Sequence, residues 1–215
     1  MKIGVIDYGM GNLFSVEQAL KRLDCEVVVS ANPEELAATD ALILPGVGAF
    51  PDAMKRLAET GLDQFIREQV NANKQLLGIC LGMQLLFEES EEVTKTKGFG
   101  FFNGNITRFA GQTASGEQYR VPHMGWNTLE FKYLPKWLEE SALPESKYVY
   151  FVHSFYAANM NKEQLVASAD YFETEVPGVV QSGNVCGMQF HPEKSGEFGV
   201  FLLKQWLKGV GVLTC

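Results

Sequence analysis

A chain of 215 residues, 46% hydrophobic and 20% charged, has the length and composition of one soluble α/β domain with a full core, or at most of two small ones. Twenty-six acidic against 18 basic residues give a net charge of −8, and with no basic stripe this argues against nucleic acid as a ligand. Four scattered cysteines (Cys25, Cys80, Cys186, Cys215) without a C-x-x-C pair exclude a disulfide scaffold and suit a reducing cytoplasm.

The N-terminus runs directly into a strand pattern, Lys2–Asp7, with no apolar leader or small-residue cleavage site. Tyr8-Gly9-Met10-Gly11-Asn12 is a glycine-rich turn in which Asn12 can cap a helix over Leu13–Leu23. That helix carries Glu17 and Lys21 at i,i+4, with Phe14, Val16, Leu20 and Leu23 available for packing. The turn lacks the third glycine of a dinucleotide fingerprint and the Gly-Lys-Ser/Thr of a P-loop, so it reads as structural. Cys25–Ser30 is a second strand, and Asn32-Pro33-Glu34-Glu35 starts a helix with proline and acids in its first turn. Ala41–Leu44 is a third strand, ending in Pro45-Gly46-Val47-Gly48-Ala49-Phe50; amphipathic helices follow at about Asp52–Glu59 and Leu62–Ala72, then a strand from Gln75. Strand and helix alternating through short glycine-rich links predict a doubly wound, mostly parallel sheet, with ligands at the carboxyl ends of its strands. Asp7 and Pro45–Gly48 fall at those ends.

The composition changes after Phe87. Glu88–Lys97 is expected as a charged, solvated loop. Short strands are expected at Ile106–Phe109, Gln118–Val121, Thr128–Tyr133, Lys147–Val152, Gln164–Tyr171 and Val179–Ser182, with a Gly183-Asn184 turn into Val185–Phe190. Glu197–Lys208 closes the chain as a helix with Phe198, Phe201, Leu202 and Trp206 on one face. This C-terminal portion reads as mixed or antiparallel. With no linker or repeat, residues 1–215 read as a single domain. The longest apolar run, Leu76–Phe87, is broken by glycines and is too short to span a bilayer, so no membrane partner is expected.

Chemistry concentrates at Gly78-Ile79-Cys80-Leu81-Gly82-Met83-Gln84, where an apolar strand becomes a helix over Gly82–Phe87. G-x-C-x-G is the spacing of a nucleophile elbow, in which a sharp turn pushes the side chain out at the end of a sheet. The glycines suit it because side chains there would collide with the neighbouring strand or helix. A thiol at that turn faces unpaired amide N–H groups, and the Leu81 N–H can donate to an oxyanion formed by attack at Cys80. Alone, the same residues also fit a small core cysteine in a buried strand. The strand Val185–Phe190 is followed by His191-Pro192-Glu193. A strand-end histidine can reach a nucleophile on a neighbouring strand, and Glu193 two residues on can hold its imidazole as a triad acid does. A lone H-P-E is also an ordinary surface turn; the elbow and the His/Glu pair together are much rarer.

With these two motifs the sequence resembles the class I, triad-type glutamine amidotransferases. Within that family, Asp7–Asn12, Pro45–Phe50, Met83 and Val121-Pro122-His123-Met124-Gly125-Trp126-Asn127 are most similar to the glutaminase subunits of imidazole glycerol phosphate synthases. The resemblance covers essentially the whole chain. It implies Cys80, His191 and Glu193 as the triad, and Leu81 N–H with an N–H from Pro45–Gly48 (Val47, beside Gly48) as the oxyanion hole. It implies Gln84 against the α-amino acid end of L-glutamine, Glu92 near its α-ammonium unless that acid is merely a surface charge, and His153, Ser154 and Phe155 lining the pocket. His123, Met124, Trp126 and Lys194 are implied at a partner face, although Trp126 could equally be core. No cofactor is implied, and no histidine has metal-ligand spacing. The implied partner is a cyclase subunit with a (β/α)8 barrel, since nothing in this chain looks equipped to bind a bisphosphorylated acceptor. Alternatives left open are a glutaminase serving another synthase, such as one making a cell-surface amino sugar, and a binding protein of the same fold with an idle Cys80.

Overall fold

The computed structural model describes residues 2–209 and 211; residues 1, 210 and 212–215, Cys215 among them, lie outside it. Its first half alternates as expected. Strand β1 (Lys2–Ile6) leads to helix α1 (Leu13–Arg22), β2 (Glu26–Ser30), α2 (Pro33–Ala37), β3 (Ala41–Gly46), α3 (Phe50–Thr60), α4 (Leu62–Asn71) and β4 (Gln75–Cys80). Asn32 caps α2 by accepting the Glu34 N–H at 2.9 Å. Asn12 makes no such bond at α1: its ψ of 63° departs from the extended geometry that lets a capping side chain reach back. Val16, Ala19 and Leu20 form the buried face of α1, whereas Phe14 is 71% exposed, one position off the apolar stripe.

The elbow helix α5 spans only Leu81–Leu85. The expected charged loop that follows holds two strands, β5 (Phe87–Ser90) and β6 (Thr96–Lys97), in which Phe87 and Ser90 are buried while Glu88 is exposed. Next come β7 (Phe102–Arg108), β8 (His123–Thr128), β9 (Glu130–Phe131), β10 (Tyr148–His153), β11 (Phe155–Ala158), β12 (Leu165–Tyr171), β13 (Thr174–Ser182), β14 (Val185–Met188) and α6 (Gly196–Gly209). The strand expected over Gln118–Val121 does not form. Gln118 makes one isolated bridge to Gln112, and the positive φ of Gly111 and Gly116 turns this segment into a surface loop.

Eight strands make the main sheet, in the order β2-β1-β3-β4-β14-β13-β12-β9. The first five run parallel, and β13, β12 and β9 extend the sheet antiparallel. A four-stranded sheet (β11-β7-β5-β6) and a β10-β8 pair complete the structure. The parallel strands are buried on both faces, which is why Ile3, Val5, Ile43, Leu77 and Ile79 pack in one apolar cluster while Ile6, Leu42, Leu44 and Leu76 pack in the other. One placement matters most for chemistry: β14, late in the sequence, lies parallel beside β4 with Met188 opposite Ile79. The residues just beyond Met188 therefore arrive next to Cys80. Among the described residues no helix is long and apolar enough to cross a membrane.

Candidate active site

Cys80 is the last residue of β4 and sits at φ 55°, ψ −113° before the first turn of α5. A positive φ is strained for a side chain with a Cβ, by roughly 1–3 kcal/mol, and persists only where the surroundings over-determine it. Here the surroundings are the flanking glycines. A Cβ on Gly78 would lie 2.7 Å from both the Gly82 oxygen and the Met83 nitrogen, and one on Gly82 would run into the Leu44 carbonyl of β3. The glycines thus let α5 fold back across β3 and β4 within backbone contact. The Leu81 amide, first in the helix, has no intrahelical acceptor and is free to meet a ligand.

From the next strand, Gly46 pairs with Cys80 and the chain leaves the sheet through Val47 and Gly48. Gly46 comes so near the start of α5 that an added Cβ would sit 2.8 Å from the Gly82 nitrogen. Val47 is 44% exposed, and Gly48 holds φ 106°. The Tyr8 hydroxyl donates to the Pro45 carbonyl at 3.0 Å and ties down the base of this loop.

His191 follows β14 and is fixed through its backbone. Its N–H donates to the Tyr150 carbonyl at 3.3 Å, and its carbonyl accepts from the Ser195 hydroxyl at 2.7 Å, which itself accepts the Tyr150 N–H. Its Nδ1 lies 2.8 Å from Oε1 of Glu193, with both side chains almost wholly buried. Burial alone would lower the imidazole pKa. The neighbouring Cys80 sulfur and the Glu193 carboxylate override it and raise the value to about 10. The Glu193 bond keeps Nδ1 protonated and leaves Nε2 as the nitrogen that exchanges a proton with the Cys80 sulfur.

Cys80, Leu81, Val47, Gly48, His191, Gln84, Glu92, His153, Ser154 and Phe155 line one cavity of about 360 Å³, closed on another side by Pro122 and Val152. Nε2 of Gln84 donates to the Phe155 carbonyl at 2.8 Å and to Oε1 of Gln189 at 3.0 Å. Both amide protons are thereby used, and Gln84 offers a ligand its Oε1 acceptor. Glu92 is not an idle surface acid: Oε2 accepts the Phe50 N–H at 2.8 Å, capping α3, while the side chain also borders the cavity. The Phe155 carbonyl also accepts from Nδ1 of His153 at 2.8 Å, so His153 Nε2 carries the lone pair, buried and without a protein partner. Burial pushes the His153 pKa down to about 3, nearby His123 and His191 assisting and the Phe155 carbonyl opposing. The cavity therefore combines a cysteine sulfur, an imidazole–carboxylate pair, free amide donors and several hydrogen-bond acceptors, the equipment for acyl transfer from a small polar substrate.

The residues assigned to a partner face divide. Met124 and Trp126 are 61% and 55% exposed, and Lys194 is exposed. His123 is buried instead, stacked against Phe151 and Tyr171 with ring centroids 4.6 and 4.0 Å away. Alternation along β8 accounts for this: Met124 and Trp126 face outward, and position 123 lies on the opposite side.

Comparison with known proteins identifies the family. The family model described as "Glutamine amidotransferase class-I" matches residues 4–209. The chain belongs to the class-I glutamine amidotransferase family. Proteins named "Imidazole glycerol phosphate synthase subunit HisH" are among its relatives. The one from Shouchella clausii is 55% identical over 204 residues, 95% of this chain and 96% of that one. Those from Geobacillus thermodenitrificans and Bacillus subtilis are 53% and 52% identical, covering 99% and 96% of this chain and 96% and 95% of theirs. A crystal structure titled as a glutamine amidotransferase superposes with a TM-score of 0.75 at 24% identity, covering 98% of this chain and 99% of that one, and shares the amidotransferase fold. The expected class-I amidotransferase fold, with a parallel sheet continued by antiparallel strands, is thus present. Three residues packed near this cavity had no role assigned from the sequence: Tyr8 in its glycine-rich turn, Gln189 in the strand before His191, and Ser195. Each acts through contacts with segments distant in the chain, and no local spacing signals them.

Proposed function

We propose that this amidotransferase is the glutaminase subunit of an imidazole glycerol phosphate synthase, hydrolysing L-glutamine to supply ammonia for histidine biosynthesis. The single observation that supports the chemistry is the strained Cys80 turn opening into the same cavity as the His191–Glu193 pair. The Cys80 thiol passes its proton to His191 as the sulfur attacks the side-chain carboxamide carbon, and the carbon–oxygen double bond opens to an oxyanion held by the Leu81 and Val47 amides. His191 delivers a proton to the departing nitrogen; the carbon–nitrogen bond breaks, ammonia leaves and a γ-glutamyl thioester remains. Water then attacks the thioester, its proton passing to His191, and glutamate and the thiol are restored. Glu193 keeps the ring in the required tautomer and stabilises its charged form. Gln84, Glu92 and the His153–Phe155 wall hold the amino-acid end of the substrate, with the Gln84 and Glu92 oxygens suited to an ammonium.

The family relatives are named as synthase subunits, which supports a partner subunit. We take it to be a (β/α)8 cyclase that docks over Met124, Trp126 and Lys194, in the cytoplasm, and receives ammonia through a protected channel. Bulk water would protonate ammonia and quench its nucleophilicity. Val47, between two glycines, is free to reorient its peptide, so the lone chain is a poor glutaminase until the partner organises that amide. The test is glutamate release by the chain alone, with the cyclase, and with the cyclase plus its ligand. Expected is strong stimulation by the partner and loss of turnover in Cys80→Ala. Undiminished turnover in Cys80→Ala would remove the triad, and equal turnover with and without the partner would remove the activation.

A further inference from the structure

Gln189 is wholly buried and sits at the carboxyl end of β14, its backbone N–H bonded to the Gly178 carbonyl at 2.9 Å. Its side chain is used at both ends. Oε1 accepts from Gln84 Nε2 at 3.0 Å, and Nε2 lies 3.9 Å from the Cys80 sulfur, a long contact in keeping with the size of a sulfur acceptor. The orientation of both amides is determined by one atom, because the Phe155 carbonyl can only accept. It requires the NH2 of Gln84 on its side, at 2.8 Å; that NH2 in turn requires the oxygen of Gln189, and the NH2 of Gln189 is left facing Cys80. The result is a directional chain from the wall of the cavity, through two buried amides, to the nucleophile.

We propose that Gln189 is a positioning residue that orients the Cys80 sulfur and links its placement to the Gln84–Phe155 wall. A cysteine sulfur has three staggered rotamers, and only some of them bring it within reach of the Gln189 amide. A fixed N–H donor selects the one facing it, and holds it more strongly as the sulfur gains negative charge. A purely structural amide, filling space in the interior, would leave the sulfur's reactivity unchanged.

This inference rests on the glutaminase reading for its kinetic arm but not for its chemical one. The experiment compares the full chain with Gln189→Met, of similar length with no donor and only a weak thioether acceptor, and with Gln189→Asn, an amide too short to span both partners. The first readout is the rate of Cys80 alkylation by iodoacetamide without glutamine; the second is glutamine hydrolysis with the cyclase present, resolved into kcat and KM. Alkylation is expected to slow about tenfold in either variant, with kcat falling by a similar factor and KM moving less than threefold. Alkylation within twofold of the parent in a folded variant overturns the proposal, as does a rise in KM alone, which would make Gln189 part of the binding wall. If the parent chain is alkylated but hydrolyses no glutamine in any assembly, the glutaminase reading fails while the alkylation comparison still decides the role of Gln189. Should Gln189→Met not fold, Gln189→Asn carries the same test.

Discussion

Gly78→Ala is the sharpest mechanical probe of the elbow. The added methyl would meet three backbone atoms of the first turn of α5: the Gly82 oxygen and Met83 nitrogen at 2.7 Å and the Gly82 carbon at 2.8 Å. Ordinary contact begins near 3.4 Å, so the turn after Cys80 must retreat by roughly 0.7 Å. None of the three atoms belongs to a flexible side chain, and the helix cannot yield without moving the Leu81 amide. Overpacking of this kind costs about 1–3 kcal/mol, which lowers the melting temperature by roughly 2–12 °C in a chain of this size. The kinetic effect is expected to exceed the thermal one, because displacing a catalytic group by about 1 Å can cost on the order of a hundredfold. Paired measurements of thermal unfolding and of glutamine hydrolysis with the partner present check both. A variant melting within 1 °C of the parent and retaining kcat within twofold would mean that the elbow is not packed as described and that Gly78 is replaceable.

The remaining predictions concern charge and surface. Glu193→Gln removes the carboxylate beside His191 and should lower kcat at least a hundredfold; by NMR, the ring, which holds its proton up to about pH 10, should titrate well below that in the variant. A raised folded-state pKa stabilises fully below the unfolded value of about 6.5 and fades as pH climbs to the folded one, so the stability lost by Glu193→Gln should be larger at pH 6 than at pH 10. His123 and His153 behave in the opposite sense: burial lowers them to about 4 and about 3, so stability present above pH ~6.5 is lost as pH falls toward those values, by up to about 1.4 kcal/mol per pH unit for each ring. Denaturant unfolding at pH 7, 6 and 5 should show this acid limb, and His123→Phe should flatten it; an unchanged slope would refute the assignment. Trp126→Ala should weaken association with the partner about 30-fold or more, as an exposed aromatic anchor would, without slowing Cys80 alkylation; unaltered affinity would place the interface elsewhere.

Much of the candidate site's geometry could be read in the sequence because it is local. The strained turn at Cys80 needs glycines two residues either side, and the His191–Glu193 bond spans two residues, so both leave a spacing behind. The parallel half was legible for a related reason: strands buried on both faces are nearly continuous apolar runs, and Ala41–Gly46 departs from its expectation by only two residues. The second half was less so. Strands such as β5 and β6 are short and half-solvated, and their polar residues suit a loop equally well, while Gln118–Val121 has strand composition but lies beyond glycines that divert it. Least visible were residues whose partners are far along the chain. Glu92 caps a helix 42 positions earlier, and Gln189 touches Gln84 across 105.

The insertion of β14 beside β4 also sets an order of events during synthesis. The cysteine strand is made early, yet its parallel neighbour and the imidazole beyond it emerge more than a hundred residues later. Until that last strand slides in, the sulfur has no proton acceptor, no buried amide to steer it and no closed cavity around it. A chain cut before that strand therefore carries Cys80 as an ordinary thiol, without the imidazole, the steering amide or the cavity, and the architecture withholds the assembled site until the polypeptide is nearly whole.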